Sequence, residues 1–483
     1  MSAASVRRRS WIWRVFFTCW LVYSFFWTPY LIREHFPALA LVERGTLNVE
    51  RYIGWTDDIF RGPAGGAFIN NNPGASLTGA IPLLVFRPLL IKVDGWRWTQ
   101  PRPAHEDSEL FWRTLHEGRA IYFLLVEFLT VVLVMAPITA WVMAFLCARL
   151  IEAGIAGVHA AAVSLICGLA TPILYRTAHL NHNLLVADAG FAALLLIWDP
   201  HGRPLRIRNA ALAGLLAGYA VLCDFSGLVV LAVAALYVWL RGGDATTPGR
   251  WPLLAAYCIA AAPGIVALML YQAWAFGSLY HPSQHYMAPT APTVHGYRGF
   301  DWPSPSLMWA NFFDPRFGLF AYCPALLLAF AAPFLKRVRK RIPPREMRTV
   351  WLYFTLFVLF CAANQYSWLQ PLTGFRYLTP VVAVLALLAI ATAAALPRAA
   401  QWLILVLSFA QSLVMAAAHE NSLRDSIASL WQRSGDLFWM IRLREAGVPV
   451  NWGFPVLAWA VVAVICWWAC VLIDIREHQD GSN

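Results

Sequence analysis

Two adjacent carboxylates, Asp57 and Asp58, stand in the stretch Gly54-Trp55-Thr56-Asp57-Asp58, shortly after an apolar run near the N-terminus. Acids held side by side raise one another's pKa or bind a divalent cation such as Mg, Mn or Zn. Near a membrane they also suit general-base work on an acceptor hydroxyl or amine. A helix N-cap or a solvated turn uses the same residue type, so the pair alone does not decide. A Gly-rich turn follows, then Asn70-Asn71-Asn72-Pro73-Gly74-Ala75-Ser76. His179 and His182 in His179-Leu180-Asn181-His182-Asn183 can share a helix face to hold a metal or phosphate, line a donor pocket, or make structural hydrogen bonds. Asp188 lies inside the next apolar run, where an ionisable group is costly. Arg376, beside Gly374 and Tyr377, can fork two hydrogen bonds onto a phosphate, or it is an interfacial Arg whose head snorkels to water. His281, His285, His295 and Arg298 share a loop rich in aromatic residues. Rings that stack on sugar faces beside groups that bond hydroxyls suit sugar recognition, and an interfacial aromatic belt explains the rings equally well. Asp224 reads as a lining acid or as a cap before Phe225.

The elements that position these groups are apolar runs. The chain has 483 residues, 59% hydrophobic and only 13% charged, with mean hydropathy +0.56. Soluble proteins carry about a quarter charged residues, so the composition predicts an all-α polytopic membrane protein. About twelve spans are expected, over 11–32, 121–147, 154–176, 184–199, 209–223, 226–240, 252–275, 317–335, 349–364, 377–396, 400–418 and 453–474. The pair over 209–240 is either two short spans or one broken at Cys223-Asp224-Phe225-Ser226-Gly227. The N-terminal run from Trp11 is too long and aromatic for a cleaved signal and reads as a retained anchor.

With the N-terminus inside, the short inner loops carry Arg203, Arg206 and Arg208, then Arg241 and Arg250, then Lys336 to Arg341, as the positive-inside rule requires. Both termini are then cytoplasmic. The unusual polar residues fall on the outer face, His419 and Glu420 included, while Glu127 and Asp188 are the intramembrane acids. Residues 33–119 form a long first outer loop, in which Leu77 to Val93, broken by Pro82 and Pro88, suits an interfacial helix. Residues 276–316 form a second sizeable outer loop. The net charge of +11 marks topology and lipid headgroups, not nucleic acid. Nine cysteines, with no C-x-x-C pair, read as small buried hydrophobes. The sequence carries no P-loop, no Rossmann glycine fingerprint, no H-E-x-x-H and no G-x-S-x-G, which argues against ATP-driven transport, nucleotide-sugar use and serine hydrolysis.

The order Asp58, Gly66-Ala67-Phe68, Asn72-Pro73-Gly74 resembles the first outer loop of the GT-C superfamily of polyprenyl-phosphate-sugar glycosyltransferases, near the protein O-mannosyltransferase and aminoarabinose-transferase branch. The resemblance covers the topology and this loop well, and the later loops loosely. It implies a GT-C-like bundle in a bacterial inner membrane. It also implies an inverting, periplasm-facing transfer from a polyprenyl-phosphate-linked sugar to an acceptor, with Asp58 or Asp57 as the acid that activates the acceptor. Where many relatives have a Lys facing the lipid phosphate, this chain has Asn71, which hydrogen-bonds an anion without charge. Arg376 is the candidate replacement cation, and some relatives use a divalent metal. Two other classes stay open, a secondary transporter or lipid flippase and a GT-C-fold lipid-binding protein without catalysis. A transporter is expected to place ionisable groups near the bilayer midplane.

Overall fold

The structure, a computed structural model, describes residues 3–63, 65–96, 118–199, 203–245, 247–370 and 376–480. Gly374 and its neighbours over 371–375 lie outside the described residues.

An apolar run satisfies its own backbone N–H and C=O groups as a helix, and helices dominate. The chain begins with α1 (Ala3–Phe25) and α2 (His35–Arg44), then a hairpin of β1 (Ile59–Arg61) and β2 (Ala67–Ile69). Next come α3 (Gly74–Val85), α4 (Arg87–Val93), α5 (Ala120–Glu152), α6 (Gly157–Leu169) and the single turn α7 (Ile173–Arg176). The middle of the chain holds α8 (His182–Ile197), α9 (Ile207–Cys223), α10 (Gly227–Arg241), α11 (Arg250–Phe276) and α12 (Pro305–Phe313). It ends with α13 (Pro344–Ala363), α14 (Thr379–Ala393), α15 (Arg398–Ala418) and α16 (Gly453–Asp480).

Among the described residues, four helices are long and apolar enough to cross a membrane: α5, α11, α13 and α15. A fifth is added if α3 and α4, bent by 78° at Phe86, count as one broken span. Seven more apolar helices, α6, α8, α9, α10 and α14 among them, have only 10–17 residues. A straight crossing takes about 20, so helix length does not establish the twelve crossings read from the sequence. The run over 317–335 departs most: a tight 3-10 segment, Pro324–Phe334, carries most of it, with Pro333 inside. The stretch over 209–240 is two helices, α9 and α10, parted at Asp224. The hairpin is the exception to an all-helical reading.

α8 is buried on every side, and α14 nearly so. A helix apolar all round belongs at the centre, and the two pack against each other. α9 lies against α11 so closely that a Cβ on Gly214 or Gly218 would meet the Tyr257 or Ala261 carbonyl oxygen at 2.1 or 2.2 Å. Small residues four apart permit that approach. The outward faces of α11 and α15 stay apolar, with Trp251, Ile259, Trp402 and Leu403 exposed. Such faces are compatible with a membrane protein.

The two ends of the bundle differ. At one end Arg149 donates to the Trp198 carbonyl at 2.7 Å and Arg241 to the Ile197 carbonyl at 2.9 Å, while Arg345 pairs with Asp244 at 2.8 Å. At the other end the chain leaves α1, enters α8, turns from α9 into α10 and enters α14. The candidate site is there.

Candidate functional site

The hairpin explains the first half of the site. β1 and β2 pair antiparallel with Ile59 opposite Ile69, around a turn where Gly65 and Gly66 take φ of +92° and +79°. Those are left-handed values that favour glycine. The pairing places Asp58, just before β1, across from Asn70, just after β2. The Asn70 amide donates to Asp58 Oδ1 at 3.0 Å, and Arg33 reaches Asp58 Oδ2 at 3.1 Å and Asn70 Oδ1 at 3.2 Å.

Each asparagine of the triplet has its own task. Asn70 holds Asp58. Asn71 donates to Glu34 Oε1 at 2.6 Å, and Asn72 donates to the Val221 carbonyl at 2.9 Å. Gly74 follows where α3 touches α9: a Cβ there would lie 2.7 Å from backbone atoms of Leu222 and Cys223.

Glu34 is the centre of the second half. His182 Nδ1 stands 2.5 Å from Glu34 Oε1, and Arg33 Nε lies 3.5 Å from the same oxygen. Burial pushes the Glu34 carboxyl up, but the His182 charge and hydrogen bond and the Arg33 guanidinium outweigh it, holding the group well below the usual carboxylate range. Burial likewise opposes the Arg33 charge, and Asp58 and Glu34 outweigh it, raising that guanidinium. The far nitrogen of His182 is 3.9 Å from Asp224 Oδ2. Asp224 itself caps the turn into α10, accepting from the Ser226 N–H at 2.8 Å. His182 opens α8, and Asn181 is its N-cap, accepting from the Asn183 and Leu184 N–H groups.

Arg33, Glu34, Asp58, Asn181 and His182 line a cavity of about 300 Å3, which also takes in Arg176, His179, Asn183 and Arg376. Burial and the charge of Arg376 pull the Arg176 guanidinium below its usual affinity for a proton. Burial, then Arg176, push His179 well below the ordinary histidine value. Arg376 Nη2 donates to the Leu369 carbonyl at 2.6 Å, while its buried Nε has no hydrogen-bond partner among the described residues. Buried Gln370 clamps the approach, its Oε1 accepting from the Arg376 and Tyr377 N–H groups at 2.7 and 3.1 Å. Arg33 is balanced by Asp58 and Glu34. Three guanidiniums, those of Arg33, Arg176 and Arg376, therefore line the cavity beside two carboxylates, those of Asp58 and Glu34, a balance that suits an anion.

The cavity therefore gathers Asp58, His179, His182 and Arg376 from the residues the sequence singles out. Others fall elsewhere. Asp57 is exposed and does not line it. Asn71 is buried behind it with its amide on Glu34, so it does not turn toward a bound phosphate. Tyr377 packs behind Arg376, whose guanidinium lies 5.5 Å from its ring centre. His285 stacks on His281 at 4.6 Å and meets the Tyr297 hydroxyl at 3.1 Å in the exposed second loop. Arg298, with φ +54°, is in that loop too. His179 precedes α8, so the two histidines do not share a helix face as their spacing suggests. Asp188 is deeper in α8, accepting from the Thr139 hydroxyl at 2.7 Å.

Both Asp58 oxygens are engaged, by Arg33 and by the Asn70 amide, and Asp57 lies outside the cavity lining, so the two acids do not converge on one cation. Among the described residues no three His, Cys, Asp or Glu are grouped to hold a metal ion. Seven described cysteines are free, and Cys258 alone of them is exposed.

Glu34, Arg33, Arg176 and Asn183 are the site residues that sequence reasoning misses. Arg33-Glu34 directly follows the first apolar run, and charge beside charge at a span's end was the available signal. Arg176 sits likewise at the end of an apolar run. Comparison with known proteins finds no matching family model, no matching curated protein and no matching solved structure.

Proposed function

We propose that the chain is a multi-spanning glycosyltransferase of GT-C type, passing a sugar from a polyprenyl-phosphate carrier to an acceptor at the outer membrane face. The observation that carries this reading is the cavity, which brings a half-exposed carboxylate, Asp58, together with the guanidiniums of Arg176 and Arg376. A lipid-borne substrate stays in the bilayer, so its sugar is reached where helices end. The end with Arg149, Arg241 and Arg345 is then cytoplasmic, by the positive-inside rule. The short helices complete about twelve crossings together with their flanking loops, and both termini are cytoplasmic.

In the reaction, an Asp58 oxygen takes the proton of the acceptor hydroxyl. The acceptor oxygen bonds to the anomeric carbon from the face opposite the phosphate. The bond from that carbon to the phosphate oxygen breaks, its electrons leave with the polyprenyl phosphate, and the sugar is inverted. Arg376 and Arg176 stabilise the departing charge, the kind of preorganised stabilisation that gives the largest single contribution in many enzymes. Glu34 holds Arg33 and His182 in place.

Purified protein is incubated with a panel of polyprenyl-phosphate sugars beside Asp58→Asn. Sugar release or transfer by the wild type, lowered roughly 100-fold or more in the variant, is the expected result. Equal turnover by both removes Asp58 as the base. Lipid binding without turnover by either supports a non-catalytic lipid-binding protein. Absence of binding removes the glycosyltransferase reading and returns the transporter.

A further inference from the structure

Asn183 is 1% exposed and lines the cavity. Its side-chain oxygen and nitrogen both lack a hydrogen-bond partner among the described residues. Buried amides are nearly always paired, and one left wholly unpaired calls for a reason. The local sequence does not supply a partner. Asn181 already caps α8, its Oδ1 accepting from the Asn183 backbone N–H at 3.0 Å, so that bond uses the backbone of Asn183 and leaves the amide free. The neighbouring His182 is spent on Glu34 and Asn71.

We infer that Asn183 reads the sugar of the lipid-linked donor, accepting from one hydroxyl and donating to its neighbour. This rests on the glycosyltransferase reading and deepens it. The chemistry of the amide selects the ligand group. A phosphate or carboxylate accepts only, and would leave the Asn183 oxygen unpaired or repelled. A pair of adjacent hydroxyls offers a donor and an acceptor side by side, matching both ends of the amide. The cavity divides accordingly. Arg176 and Arg376 take the charged phosphate, and Asn183, on the wall at the α8 N-terminus, takes the neutral polyol. A site built to bond a hydroxyl rejects the analogue lacking it, because the amide is then left buried and unpaired. Asn183 therefore sets which sugar is accepted, while Asp58 and the arginines set what is done with it.

The test is binding to full-length protein in nanodiscs, with polyprenyl phosphate, its hexose conjugate and that conjugate's monodeoxy analogues as probes. The wild type is expected to hold the hexose conjugate more tightly than bare polyprenyl phosphate, and Asn183→Leu to lose that increment, roughly 10- to 100-fold, while holding the bare lipid unchanged. One or two of the deoxy analogues behave with wild type as the hexose conjugate does with the variant. An increment retained in Asn183→Leu overturns the inference. A wild type that binds both lipids equally also overturns it, and leaves the phosphate site and the transferase reading standing. A wild type that binds neither overturns both. Ligand-free Asn183→Leu should melt at or above the wild-type temperature, since an unpaired buried amide has been replaced by an apolar group. A clear drop overturns the inference by showing the amide already paired without ligand.

Discussion

Glu34 holds its neighbour Arg33 and two groups from distant parts of the chain, Asn71 and His182, and Glu34→Gln tests whether that hub is real. The side chain is 2% exposed. The substitution keeps its shape and an oxygen for the Asn71 amide, but removes the charge facing His182 at 2.5 Å and Arg33 at 3.5 Å. Breaking a buried ion pair by removing one partner costs about 3–5 kcal/mol. Because the Asn71 contact survives, the lower end of that range is expected. The sign with pH follows from the lowered Glu34 carboxyl. Its stabilising charge is fully present above the ordinary carboxyl value of about 4.3 and is lost as pH falls below it toward the depressed native value. Wild type and variant should therefore differ most at pH 7 and converge in acid. The assay is unfolding in mixed micelles of Glu34→Gln, His182→Ala and the double variant. A charge-assisted hydrogen bond predicts a coupling of about 1.5–3 kcal/mol between the two sites. A coupling under about 0.5 kcal/mol, the usual additivity error, refutes the hub.

Two further perturbations test the scaffold around it. His35, buried, accepts the Ile32 N–H on Nδ1 at 3.2 Å and meets the Thr130 hydroxyl through Nε2, and burial lowers its pKa from the ordinary 6.5 to about 4. The unfolded chain then binds the extra proton first, so stability falls by about 3 kcal/mol as pH drops from 6.5 to 4; His35→Asn should flatten melting curves over that window, and unchanged curves refute the reading. Gly74→Ala places a Cβ 2.7 Å from backbone atoms of Leu222 and Cys223, which cannot yield as a side chain can. It should cost about 1–3 kcal/mol and disturb Asp58 through the asparagine triplet, whereas Gly453→Ala, with open space around it, is the neutral control in the same melts.

Apolar runs were legible because hydrophobicity is additive along the chain: each run carries helix in the structure, and the basic loops gather at one end. Their lengths were not legible, since Pro333 and the break at Asp224 depend on how neighbours pack. Asp58 and Arg376 were legible as unusual charges beside apolar runs. Glu34 carried only the weaker signal of a charge beside a charge at a span's end, which a solvated acid shares; its role comes from His182, 148 positions away. The i, i+3 spacing of His179 and His182 misled for a related reason. Asn181 starts the helix between them, so the spacing falls partly outside any helix. The Asn71 reading misled as well: a triplet of like residues conceals three different partners, and only the hairpin register tells them apart.

The placement of charge bears on which class of function the bundle can serve. Carrying a solute through a membrane asks for ionisable groups along the route, and here the deep candidates are Asp188 and Glu127, both buried. Asp188 accepts from the Thr139 hydroxyl at 2.7 Å, and neither acid lines the cavity. The groups that do face one another come from residues 33, 34, 176, 182 and 376, where helices begin or end, and from residue 58 at the start of the hairpin. An apolar bundle cannot place three guanidiniums and two carboxylates between its helices without heavy desolvation. At their ends it can, and there the α8 N-terminus adds its own partial positive charge. Under the proposed reading, the phosphate of a lipid-borne donor would meet these groups at the bundle's end while its prenyl chain stayed among the helices, so the placement of charge supports chemistry on a lipid-borne group over passage of a soluble one.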